Sequence, residues 1–113
     1  MKIVQHLRLV VASDRMTQFS SQFLQGMINR MIVGEAKYGT LSKDRIDKVD
    51  CLKSLQQRLD KYEETGNTEW LMDAANFAMM EFMFPKHSNA HYRPTDSKES
   101  PGYTDNDAAV RKL

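Results

Sequence analysis

The sequence predicts an all-α protein, a small helical bundle of three main helices followed by an extended C-terminal tail. Three observations carry that expectation. Apolar residues recur at three- and four-residue steps through most of residues 16–84, the runs are broken at Gly39 and at Gly66-Asn67-Thr68, and the periodicity stops at Pro85. Before the first helix, residues 3–12 are rich in Ile, Val and Leu, and the alternation of Leu7, Leu9 and Val11 reads as a possible short N-terminal strand, with a helical start as the competing reading.

Ser13 or Asp14 is placed to cap a long first helix, in which Met16, Phe19, Phe23, Met27, Met31, Glu35 and Tyr38 follow one another at helical steps. Gly39 is its natural stop. A second helix is expected from about Ser42, with Ile46, Val49, Leu52, Leu55, Leu59 and Tyr62 as its apolar stripe and mixed charge elsewhere. Gly66-Asn67-Thr68 then supplies a left-handed stop and a cap for the third helix, a connection short enough to make neighbours antiparallel. The third helix, residues 69–84, is apolar around almost its whole circumference and should be the central one.

These features divide the chain into a helical domain, residues 1–85, and a polar tail or wrapping arm, residues 86–113, too poor in aliphatic residues for a core of its own. So small a core is marginal for covering an all-apolar helix, so a homo-oligomer is expected. Formal net charge +1 ranks nucleic acid low among the partners, because duplex binders carry a clear cationic excess. Cys51 is the single cysteine and excludes an intramolecular disulfide or a cysteine-based zinc cluster; its plain reading is a small residue near a helix core. Eight Met suggest either an adaptable binding face or, more simply, core filling. No apolar run approaches the about 20 residues of a membrane span, and Arg8 splits the opening apolar stretch, so the cytoplasm is the expected compartment and no membrane partner is expected.

The chemistry concentrates on the third helix. Glu69, Asp73 and Asn76 share one face, and a carboxylate such as Asp73 among apolar residues needs a metal ion, a cation or strong donors beside it. Two carboxylates and an amide suit a hard cation such as Mg²⁺, which takes oxygen ligands and substrate phosphates. Glu35 offers a third carboxylate, since it continues the apolar stripe of the first helix. Plainer readings stand beside these: Glu69 complements the helix dipole, Asp73 pairs with Arg30 or Arg58, Asn76 is a satisfied core amide and Glu35 is solvated. In the tail, His87 and His91 stand four apart but follow Pro85, which argues against a helical zinc pair, while His91, Tyr92 and Arg93 combine flat rings with a cation suited to a base and a phosphate.

Gly34-Glu35-Ala36-Lys37-Tyr38-Gly39, a charged middle helix, and Glu69 to Asn76 followed by Phe77-Ala78-Met79 resemble the MazG-like all-α nucleotide pyrophosphohydrolases, particularly the short forms common in bacterial viruses. The resemblance spans about residues 27–84. It implies a helical oligomer whose carboxylates hold Mg²⁺ on a nucleoside triphosphate while water attacks the α-phosphorus and pyrophosphate leaves. Glu35, Glu69 and Asp73 would be the metal ligands, Glu35 and Asp73 the catalytic pair, and Lys37 or Lys61 would meet phosphate; Tyr38, Asn76, His91, Tyr92 and Arg93 complete the candidate substrate contacts. The chain departs from the family pattern at Tyr38, where a second first-helix Glu is usual, and in the extra residue between Glu69 and Asp73. The expectation is therefore a Mg²⁺-dependent nucleoside triphosphate pyrophosphohydrolase or a degenerate relative. The alternative is a non-enzymatic helical binding protein, such as a virus-encoded inhibitor or a nucleotide-sequestering protein with a protein or nucleotide partner.

Overall fold

A computed structural model describes residues 18–96, 98–99, 101–103 and 110–112. The expected N-terminal strand at residues 3–12 and the expected cap at Ser13 or Asp14 lie outside the described residues. Helix α1 spans Ser21–Tyr38, starting where the Ser20 hydroxyl accepts the Phe23 N–H at 3.0 Å. Gln18 and Phe19 form a turn and bend before it, so Phe19 is not helical as the stripe had suggested. The reason is local: the Ser20 side chain takes a backbone donor and so begins a helix there. Gly39, at φ 87, ends it and returns its N–H to the Glu35 carbonyl at 2.9 Å.

The expected second helix is two. Helix α2 is the short segment Lys43–Ile46, capped by Ser42, and α3 spans Cys51–Thr65, capped by the Asp50 carboxylate on the Lys53 N–H at 3.0 Å. The break serves the core. Ile46 and Cys51 are both 1% exposed, yet five residues on one continuous helix would turn them about 140° apart. The break also resets the phase of α3: Cys51, Leu55, Arg58 and Tyr62 are turned inward to varying depth, whereas Leu52 and Leu59 are exposed.

Gly66 stops α3 in the left-handed conformation, its N–H on the Tyr62 carbonyl at 2.7 Å. Helix α4 spans Glu69–Met83. Its first free donor, the Glu69 N–H, is met at 3.0 Å by the Asn67 side chain, while the Thr68 side chain makes no capping bond. Phe84 and Pro85 close it. Arg58 of α3 faces Phe77 of α4, and Cys51 at the start of α3 joins Met80 near the end of α4, so the two helices are antiparallel. Helix α1 also packs against α4.

The core is Ile46, Cys51 and Met80, with Met31, Leu41, Val49, Phe77 and Phe84 packed on it. Helix α4 also buries Ala74 and Asn76, consistent with its central position, while α1 contains no buried residue. No helix among the described residues is long and apolar enough to cross a membrane.

The start of the tail folds back on the helices. The Lys86 N–H donates to Glu81 at 2.8 Å, and its ammonium donates to the carbonyls of Asp47, at 3.2 Å, and Val49 across the α2–α3 turn. Farther on, side chains tie the backbone into local turns that need no core: the His87 Nδ1 accepts the Asn89 N–H, and the Asp96 carboxylate accepts the N–H groups of Lys98 and Glu99. A three-residue antiparallel pair, β1 Pro101–Tyr103 with β2 Val110–Lys112, places Gly102 opposite Arg111.

Candidate functional site

The acidic face of α4 is built around Arg30 of α1. The Arg30 Nε donates to Asp73 Oδ1 at 3.0 Å, with the guanidinium Nη2 at 3.5 Å from the other oxygen. Glu69 stands 3.9 Å from the same guanidinium but is half exposed, so its attraction is largely screened. The bond from Asp73 raises the Arg30 pKa above its ordinary value, outweighing the desolvation that opposes it. Asp73 thus has its cation, and it comes from the chain itself.

Asn76 is 4% exposed and ties α4 to α1 through its amide, which donates to the Met27 carbonyl at 3.0 Å. Its Oδ1 has no hydrogen-bond partner among the described residues, and the same is true of the Arg58 Nε.

Glu35 does not turn toward the core; it is exposed on α1. Steps of four through Met27, Met31 and Glu35 drift about 40° each on an α-helix, so Glu35 is carried away from the face that Arg30 presents to α4. Among the described residues no three His, Cys, Asp or Glu side chains gather as metal ligands. Within one chain, Glu69 and Asp73 face a guanidinium, and the donor set does not fit a resident divalent cation.

What the fold does bring together is a cavity of about 170 Å³ between all four helices. Of the site residues named from the sequence, Lys37, Tyr38, Asp73 and Asn76 line it, together with Arg30, while Glu35, Glu69, Lys61, His91, Tyr92 and Arg93 do not. Lys61 pairs with Glu64 at 3.5 Å beside a separate groove at Trp70. Arg93 is paired with Glu99, and the Nδ1 of His91 is bonded to the Asn89 carbonyl at 2.8 Å, in an exposed stretch of tail.

Two lining cations were not among the site residues named from the sequence: Arg45 was not singled out, and Arg58 was named only as a possible partner of Asp73. Arg45 rides on α2, stacks 5.5 Å over the Tyr38 ring and donates to the Gly39 carbonyl at 2.7 Å. Arg58 lies 4.9 Å over Phe77 and 5.9 Å over Trp70, held by ring faces rather than by a carboxylate. Its signal was the inward step Cys51, Leu55, Arg58, Tyr62. Four cations and one carboxylate therefore line the cavity, and only Arg30 has an acidic partner among the described residues. Such a surplus attracts anions.

No known protein family, curated protein or solved structure matches the chain. The fold is that of a small all-α protein.

Proposed function

We propose that this chain is a nucleotide-binding helical protein, a degenerate relative of the MazG-like pyrophosphohydrolases that holds a nucleoside phosphate without hydrolysing it. One observation carries the reading: Lys37, Arg45 and Arg58 line a single cavity whose one carboxylate, Asp73, is already paired with Arg30. Phosphate is the biological anion that such donors recognise best, through charge-assisted bonds from planar guanidinium and ammonium groups. Tyr38, 70% exposed beside Arg45, offers a flat face for a base. Self-association fits the same reading, since α1 carries Leu24, Ile28 and Ile32 without burying any of them.

Isothermal titration of the full chain with ATP, GTP, dUTP and dCTP tests the reading. Saturable binding with no release of pyrophosphate is the expected result. Absence of saturable binding across the panel would remove it.

A second reading, Mg²⁺-dependent hydrolysis, draws on Glu69 and Asp73 standing about one helical turn apart on the same face of α4 and on the Glu35 motif. It requires further ligands to join them, from another copy or from substrate phosphates. Metal-dependent pyrophosphate release would establish it, and silence on a full triphosphate panel would remove it.

A further inference from the structure

We infer that the cavity between the four helices is a metal-free oligophosphate site, which takes the phosphate end of a nucleotide on Lys37, Arg45 and Arg58 and leaves the nucleoside outside. The inference rests on the nucleotide-binding reading and gives it a ligand chemistry.

Size sets the first limit. The cavity is about 170 Å³, below the about 300 Å³ at which pockets that enclose a whole drug-sized ligand begin. It suits the phosphate end of a nucleotide better than the whole. The base can meet only the rim, where Tyr38 lies, so recognition should depend little on which base is attached.

Charge sets the second. Asp73 is committed to Arg30 at 3.0 Å, which leaves three lining cations against no free carboxylate. An oligophosphate carrying Mg²⁺ would bring a divalent cation among them and would arrive with part of its own charge already neutralised. The free anion meets neither penalty, so the site favours the uncomplexed form.

The donors are arranged for the purpose. Arg58 is fixed by stacking on Phe77 and Trp70, which orders its guanidinium before any ligand arrives. Lys37 is exposed and free of partners among the described residues, and its flexible stem can follow the ligand. Gly34 keeps the neighbouring wall bare: a Cβ there would sit 3.7 Å from Arg45 Nη2, in contact with the guanidinium that the cavity presents.

The test is calorimetric titration of the full chain with inorganic pyrophosphate and with ATP, in low salt with a chelator and again with Mg²⁺ in excess. The expected result is saturable pyrophosphate binding within about tenfold of ATP, weakened several-fold by Mg²⁺, and weakened roughly tenfold by Lys37→Gln but not by Lys53→Gln, an exposed α3 residue outside the cavity. Pyrophosphate silence beside nucleotide binding would overturn the inference and leave the broader reading standing. Binding strengthened by Mg²⁺ would overturn it too, as would equal losses in the two lysine variants, which would mark diffuse surface attraction. If neither pyrophosphate nor ATP binds, both readings fall together.

Discussion

Helices α1 and α4 lie against each other, and both carry Met, Leu and Phe, yet α4 buries Ala74, Asn76 and Met80 while no residue of α1 is buried. The difference is one of neighbours. Helix α4 packs against both α3 and α1, whereas α1 has α4 as its principal neighbour among the described residues. The two contacts of α4 also differ in kind. Toward α3 it presents Phe77 and Met80 to an apolar cluster that Met31 of α1 also joins; toward α1 it adds polar contacts, Asp73 to Arg30 and the Asn76 amide to the Met27 carbonyl. An apolar stripe predicts a helix, but burial depends on how many elements are available to cover it.

The largest expected effect separates the two helices directly. Met80→Ala, at a residue 7% exposed in the core, should cost about 2–4 kcal/mol in urea unfolding, and Ile32→Ala on α1, 47% exposed, less than about 0.5 kcal/mol. Comparable losses in the two variants would mean that α1 is covered in solution, and sedimentation should then find more than one copy.

A smaller effect bears on the polar contact. Asp73→Asn should cost about 1 kcal/mol, because the partner Arg30 is 37% exposed and water takes over part of what the carboxylate supplied. The same change adds positive charge to the cavity, so pyrophosphate should bind more tightly to the variant. A catalytic metal role for Asp73 predicts the reverse, loss of all metal-dependent turnover.

Smaller again is Gly34→Ala. It should stabilise α1 by up to about 1 kcal/mol, since glycine is a poor residue in a helix interior, and yet weaken pyrophosphate binding by narrowing the approach to Arg45. A higher Tm with unchanged binding would detach Gly34 from the site. The smallest signal is a rate: burial pushes the Cys51 thiol pKa up, so the native protein should stay protonated there and resist thiol reagents through the pH range in which a free cysteine ionises, while unfolded chain reacts. Labelling of native protein at the unfolded rate would contradict the buried position.

How far these features are legible in the sequence depends on the kind of feature. Helix α4 is legible because its apolarity needs no phase, and its ends are marked by Gly66 and Pro85. The pairing of Asp73 with Arg30 is half legible: the cost of an unpartnered carboxylate demands a partner, and only packing decides between Arg30 and Arg58. The break before α3 is hidden, because Asp50 reads equally well as a surface residue and as a cap. Leu52 and Leu59 then mislead, since a two-element path sets a different inward face than a continuous helix would. The seat of Arg58 on aromatic rings is missed because charge suggests a carboxylate or water, although its stem and planar head can lie against rings. Arg45 sits on a helix of four residues, too short for periodicity to register.

The Arg30–Asp73 and Met27–Asn76 contacts join residues 43 and 49 positions apart, whereas α3 and α4 meet across the three residues Gly66, Asn67 and Thr68. Closing a short loop costs less entropy and occurs sooner than closing a long one. As the chain is synthesised, α1 emerges first and waits with its apolar stripe uncovered until α4 has followed it out. The α3–α4 hairpin is therefore expected to assemble early and α1 to dock last. The cavity, whose walls come from α1, from Arg45 of α2 and from that hairpin, would be complete only at this final step.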